Sequence, residues 1–168
     1  EGTESIYIAV STKTAVRQED VLMYLDDIAI VPASAPRREV YVYAVGSAQG
    51  AALSGALALA QDELNRTWQT ITSPEGRSGA ASFTITTPLA DQYRVVLCAK
   101  SPEQPSQLRV AVDGRDVGQV QLEGSLGYQW LALEGLVELG AGAHELTVTW
   151  PAGCKAVVHK VCLTNESE

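Results

Sequence analysis

Two histidines, three cysteines and two adjacent pairs of carboxylates are the residues of this chain with the chemistry to catalyse a reaction or hold a cation. His144 and His159 have no serine in a nucleophile-elbow pattern to activate. Cys98, Cys154 and Cys162 do not sit at a helix start that would generate a thiolate, and their spacing matches neither a zinc nor a redox motif. They are expected as free structural thiols, with a single disulfide as the other reading. The carboxylate pairs are Asp26-Asp27 and Asp62-Glu63. Neighbouring residues on a strand point to opposite faces, so neither pair converges on one bond as an acid and a base must. A hard cation, in contrast, chooses oxygen ligands, and Asp26, Asp27, Asp62 and Glu63 are the candidates to hold one. No catalytic constellation emerges, and the chain is not expected to be an enzyme.

The elements that must position these residues read almost entirely as β. Period-two alternation of apolar and polar residues marks half-buried strands. It runs through Ala81, Phe83 and Ile85, through Tyr93, Val95, Leu97 and Ala99, through Leu108, Val110 and Val112, and through His144, Leu146, Val148 and Trp150. Asp113-Gly114-Arg115-Asp116 predicts a tight turn, because Asp-Gly tolerates positive φ. Leu136–Trp150 reads as a hairpin turning at Gly140-Ala-Gly142, and a last strand runs from Val157 to Leu163. Ala51–Asn65 fits a helical stripe or a covered strand, and its β surroundings favour the strand. A polar loop from Asn65 to Gly79 follows it and carries Trp68. Trp68 and Tyr128, the latter beside a glycine at a strand entrance, are the rings expected at the surface unless they fold back onto the core. Trp130 and Trp150 share strand faces with apolar neighbours and are expected in the core.

The N-terminal part reads as two strands over residues 1–32, with Asp26-Asp27 interrupting an otherwise apolar run. Carboxylates there need hydrogen bonds, ionic partners or a cation. Pro32-Ala-Ser-Ala-Pro36 suits a linker over residues 33–37, leaving 38–165 as the main domain. The 168 residues, 46% of them hydrophobic, are enough for a real core. A net charge of −8 opposes nucleic-acid binding. No apolar run reaches the roughly 18 residues of a membrane span.

Ser5-Ile-Tyr-Ile-Ala-Val and Leu22-Met-Tyr-Leu-Asp-Asp-Ile-Ala-Ile together resemble the end of a bacterial cleaved-adhesin jelly roll. That resemblance implies a structural calcium held at the Asp26 position. From Phe83 to Thr164 the order of signals resembles galactose-binding-like jelly rolls, and within them carbohydrate-binding modules of families six and thirty-five. The motifs that carry it are Pro88-Leu-Ala-Asp-Gln-Tyr93, Val112-Asp-Gly, Gly127-Tyr-Gln-Trp130 and Leu139-Gly-Ala-Gly-Ala-His144-Glu-Leu. The usual sugar-contacting polar residue of the final strand falls at Val157, the usual aspartate at His159, and the Glu-x-Glu of the first strand at Gln61-Asp62-Glu63.

The resemblance implies an all-β antiparallel sandwich that binds a polysaccharide or other glycan without catalysis. Trp68 and Tyr128 would be the stacking rings, with Arg66 and Gln129 as polar contacts. It also implies a module of a secreted or cell-surface bacterial protein, part of a longer multidomain chain. An adhesin or spacer domain is the alternative, and the discriminator is whether Trp68 and Tyr128 converge on one concave surface.

Overall fold

Alternating burial along the strands sorts the chain into two facing sheets. The computed structural model describes residues 44–63 and 68–165, all within the unit Arg38–Glu168. The two strands expected over 1–32, the linker 33–37, and the candidates Asp26, Asp27 and Arg66 lie outside the described residues.

Eleven strands are present among the described residues: β1 (Ala44–Ser47), β2 (Ala52–Gly55), β3 (Ala58–Gln61), β4 (Gln69–Thr72), β5 (Gly79–Thr87), β6 (Asp91–Ser101), β7 (Ser106–Val112), β8 (Arg115–Leu122), β9 (Ser125–Leu139), β10 (Gly142–Trp150) and β11 (Val157–Thr164). The first sheet runs β3-β4-β11-β6-β9, with β1 also pairing along β11, and the second runs β2-β5-β10-β7-β8. Every ladder between these strands is antiparallel. This is the all-β sandwich that the alternation predicts.

Tyr93, Val95, Leu97 and Ala99 of β6 are fully buried and face Phe83, Leu108, Val110, Leu146, Val148 and Trp150 in one core cluster. Each such side chain contributes roughly 1.5–3 kcal/mol through removal from water. Two polar side chains taken inside are matched. The Trp150 indole N–H donates to the Ala156 carbonyl at 2.9 Å, and the Tyr93 hydroxyl donates to the Leu89 carbonyl at 2.8 Å, tying down the corner that begins at Pro88. The Asp113-Gly114 turn is built as expected, with φ of 49° and 75°.

Three local expectations are corrected. Ala51–Asn65 forms two short strands in different sheets, split at Gly55, whose φ of 71° turns the chain. The polar loop from Asn65 to Gly79 contains β4, whose Ile71 is fully buried against the core. Leu136–Trp150 is no hairpin: β9 pairs with β6 in one sheet, whereas β10 pairs with β5 and β7 in the other. Gly140-Ala-Gly142 therefore carries the chain from the edge of one sheet to the middle of the other.

Candidate functional site

The first sheet turns one face to the core and the other outward, and strand parity decides which side chains take the outer face. On β6 the odd residues Val95, Leu97 and Ala99 go inward, so Cys98 and Lys100 point outward. On β9, Leu131 packs against the core in register with Leu97, which sends Trp130 outward in register with Cys98. Tyr128, two residues earlier, shares that face.

At one end of this face five side chains meet. Asp62 follows β3 directly, Trp68 precedes β4, and the Asp62 N–H donates to the Trp68 carbonyl at 2.9 Å, which sets where both leave the sheet. His159 comes from β11, Lys100 from β6 and Tyr128 from β9. The Trp68 ring lies parallel to His159, centroids 4.1 Å apart and 2° between planes, and meets Tyr128 edge-on at 5.4 Å. Lys100 Nζ donates to Asp62 Oδ2 at 2.6 Å and sits 4.5 Å from the centre of the Tyr128 ring, while the Tyr128 hydroxyl donates to the same Oδ2 at 2.6 Å.

Burial sets the electrostatics of this cluster. The Lys100 and Asp62 side chains are 10% and 1% exposed, so the ion pair is held in a low dielectric where each charge needs the other. Burial, and then the bond to Asp62, push the Tyr128 hydroxyl well above its usual range. His159 Nδ1–H donates to the Gln69 carbonyl at 3.0 Å, and among the described residues no group partners its buried Nε2. Burial, reinforced by Lys160, pulls His159 below its ordinary value and keeps the ring neutral near neutrality, although the Gln69 bond and Asp62 act the other way. Beside the cluster lies a cleft of about 460 Å³, lined among others by Asp62, Thr70, Thr72, Lys100, Leu126 and Val157. A groove of about 490 Å³ between Val117–Gln121 and Leu131–Gly135 has no aromatic ring in its lining.

Trp68 and Tyr128 are thus brought together, half-buried, on one surface. Gln129 is not with them: it pairs in register with Ala99, and its side chain leaves the opposite face of β9. Trp130 corrects the expectation of a core residue, being 59% exposed, whereas Trp150 is fully buried as expected. Asp62 and Glu63 are placed differently. An ammonium already occupies the place of a cation at Asp62, Glu63 stays exposed, and among the described residues no three of His, Cys, Asp and Glu gather. His159 and Lys100 were missed as site residues. The sequence marks His159 only as a histidine without a nucleophile to activate and as a departure from the final-strand aspartate, and Lys100 carries no local signal.

The remaining reactive groups are structural. His144 donates from Nδ1 to Asp113 Oδ2 at 2.7 Å and from Nε2 to the Gly140 carbonyl at 2.8 Å. Both partners are acceptors, an arrangement that favours the doubly protonated ring and raises its pKa. Cys98, Cys154 and Cys162 are free and buried, with burial raising each thiol, Cys162 to about 11. None is a thiolate nucleophile near neutral pH.

Neither a protein-family model nor a curated sequence matches this chain. Solved structures do. A family 35 carbohydrate-binding module from Clostridium thermocellum superposes with a TM-score of 0.59 at 17% identity, covering 71% of this chain and 97% of that one. The C-terminal family 6 module of a marine laminarinase from Zobellia galactanivorans gives 0.60 at 12%, covering 73% and 98%. The chain has the β-sandwich fold of carbohydrate-binding modules. A Podospora anserina β-(1,4)-mannanase that carries a family 35 module gives 0.64 at 16% over 76% of this chain, which spans only 28% of that enzyme.

Proposed function

We propose that the domain is a non-catalytic glycan-binding module of a secreted or cell-surface bacterial protein, set beside other domains on a longer chain. The observation that carries this reading is the meeting of Trp68 and Tyr128 at 5.4 Å beside a cleft lined by both apolar and polar side chains. Sugars present apolar C–H faces and hydroxyl edges at once, and two rings near a cleft that sets Leu126 and Val157 beside Thr70, Thr72, Glu63 and Glu103 match both. The modules whose fold this chain shares support the same reading.

One or two rings and a few polar groups bury little area, so affinity is expected between millimolar and micromolar, about −4 to −8 kcal/mol. The test is calorimetric titration with ligands found on a glycan array. Trp68→Ala is the informative variant, expected to abolish binding while the Tm stays within a few degrees. Tyr128→Ala is less clean, because the Tyr128 hydroxyl also serves the buried Asp62; Tyr128→Phe separates the ring from the hydroxyl. An array on which the wild type binds no glycan hands the domain to the adhesin or spacer reading.

A further inference from the structure

Beyond the cluster, the outer face of β9 carries a residue to which neither core nor cluster gives a role. Leu126, 69% exposed, lines the cleft with Asp62 and Lys100. Past an irregularity in the β9 ladder comes Tyr128, and Trp130 follows it on the same face at 59% exposure. Two residues along a strand span roughly 7 Å, so Trp130 stands one strand repeat past Tyr128 on the side away from the cleft. No ring or cation packs on it among the described residues. Its cross-strand neighbour on β6 is Cys98, which is 1% exposed.

We infer that Trp130 is an outlying sugar subsite, and that the module holds a run of linked units of a polysaccharide along β9 instead of a single terminal sugar. This rests on the glycan-binding reading of the Trp68–Tyr128 site. Continuity with that site selects the occupant, because cleft, cluster and Trp130 lie in line on one sheet face. The spacing selects it too. Leu126, Tyr128 and Trp130 stand singly, with Asp62, Lys100 and the threonines beside them, which suits alternating sugar faces and hydroxyls better than the continuous apolar core of a protein interface. A net charge of −8 opposes a second copy of the chain as occupant.

The experiment is calorimetric titration of the full chain with β-1,4-manno-, β-1,3-gluco- and β-1,3-galacto-oligosaccharides, each from disaccharide to hexasaccharide. Wild-type affinity is expected to rise with length in the series that binds. Trp130→Ala should lose about tenfold on the hexasaccharide and nothing on the disaccharide, and Trp130→Phe should recover most of the loss. A Trp130→Ala profile equal to wild type at every length overturns the inference, as does an equal loss at every length, which would mark a structural role. It is also overturned if wild type self-associates in sedimentation while Trp130→Ala stays monomeric with its sugar binding intact. If wild type binds no member of any series while Trp68→Ala behaves identically, the glycan-binding reading fails, and this inference fails with it.

Discussion

His144 and His159 respond to acid in opposite senses because their surroundings differ. His144 lies between a carboxylate and a carbonyl, and the bond to Asp113 is the main cause that raises its folded pKa above 6.5. Its contribution to stability is complete below 6.5 and is lost as pH rises through the raised folded value. Asp113 is held below 3.8, chiefly by His144, so its contribution is complete above 3.8 and is lost as pH falls through the lowered folded value. Their bridge is therefore strongest between about pH 4 and 6.5. For His159, desolvation lowers the folded pKa. Stability on its account is complete above 6.5 and drains as pH falls from there towards the folded value. NMR titration should give two separated histidine curves, and His144→Gln should erase the higher one. Melting profiles should match, with His144→Gln destabilising most at mildly acidic pH. A common pKa for both rings would refute these surroundings. The Lys100–Asp62 pair makes a second prediction at this scale. Removing one partner strands a buried charge, so Asp62→Asn or Lys100→Met should cost about 3–5 kcal/mol in denaturant unfolding. A loss below about 1 kcal/mol would place the pair in water.

At the level of elements, the crowded point is the turn after β2. Gly55 has φ of 71°, and a Cβ there would lie 2.8 Å from the Cα of Gly79 and from the carbonyl oxygen of Ser78. Both neighbours are backbone on β5 or at its start, and cannot rotate away. Gly55→Ala is therefore expected to destabilise by about 1–3 kcal/mol, from positive φ and from the clash together. Gly114→Ala meets nothing within 4 Å and isolates the φ effect alone. Equal costs for the two substitutions would show that crowding plays no part. Parity on β9 explains a different feature: one residue of phase separates the buried Leu133 from the exposed Trp130. Composition around Trp130 could not reveal that phase, because Leu131 and Ala132 on either face are both apolar.

For the molecule as a whole, three free thiols predict that reductant leaves the Tm unchanged. A fall in Tm on reduction would require a disulfide. Calcium makes a sharper case. Since Lys100 already neutralises Asp62, any difference between melts in calcium and in chelator should come through Asp26 and Asp27 and vanish in the double variant Asp26→Asn/Asp27→Asn. A calcium effect that persists in that variant would return Asp62 and Glu63 to the ligand set.

By itself the sequence determined the β class, the inward faces of β5, β6, β7 and β10, the Asp113-Gly114 turn and the burial of Trp150, because alternation and turn chemistry are local and have a period of two. It also singled out Trp68 and Tyr128, through their places next to a polar loop and a glycine. Only the tertiary structure decided which strands share a sheet, and so turned a predicted hairpin into a crossing between sheets. Pairing is a contest among distant edges, and local pattern does not encode its outcome. The same holds for the site: Asp62, Trp68, Lys100, Tyr128 and His159 come from five strands or their ends, up to 97 positions apart from Asp62 to His159. Their meeting is a property of strand order β3-β4-β11-β6-β9. Trp130 was expected on the inner face for a related reason: which side of a strand is buried is settled by the sheet laid against it.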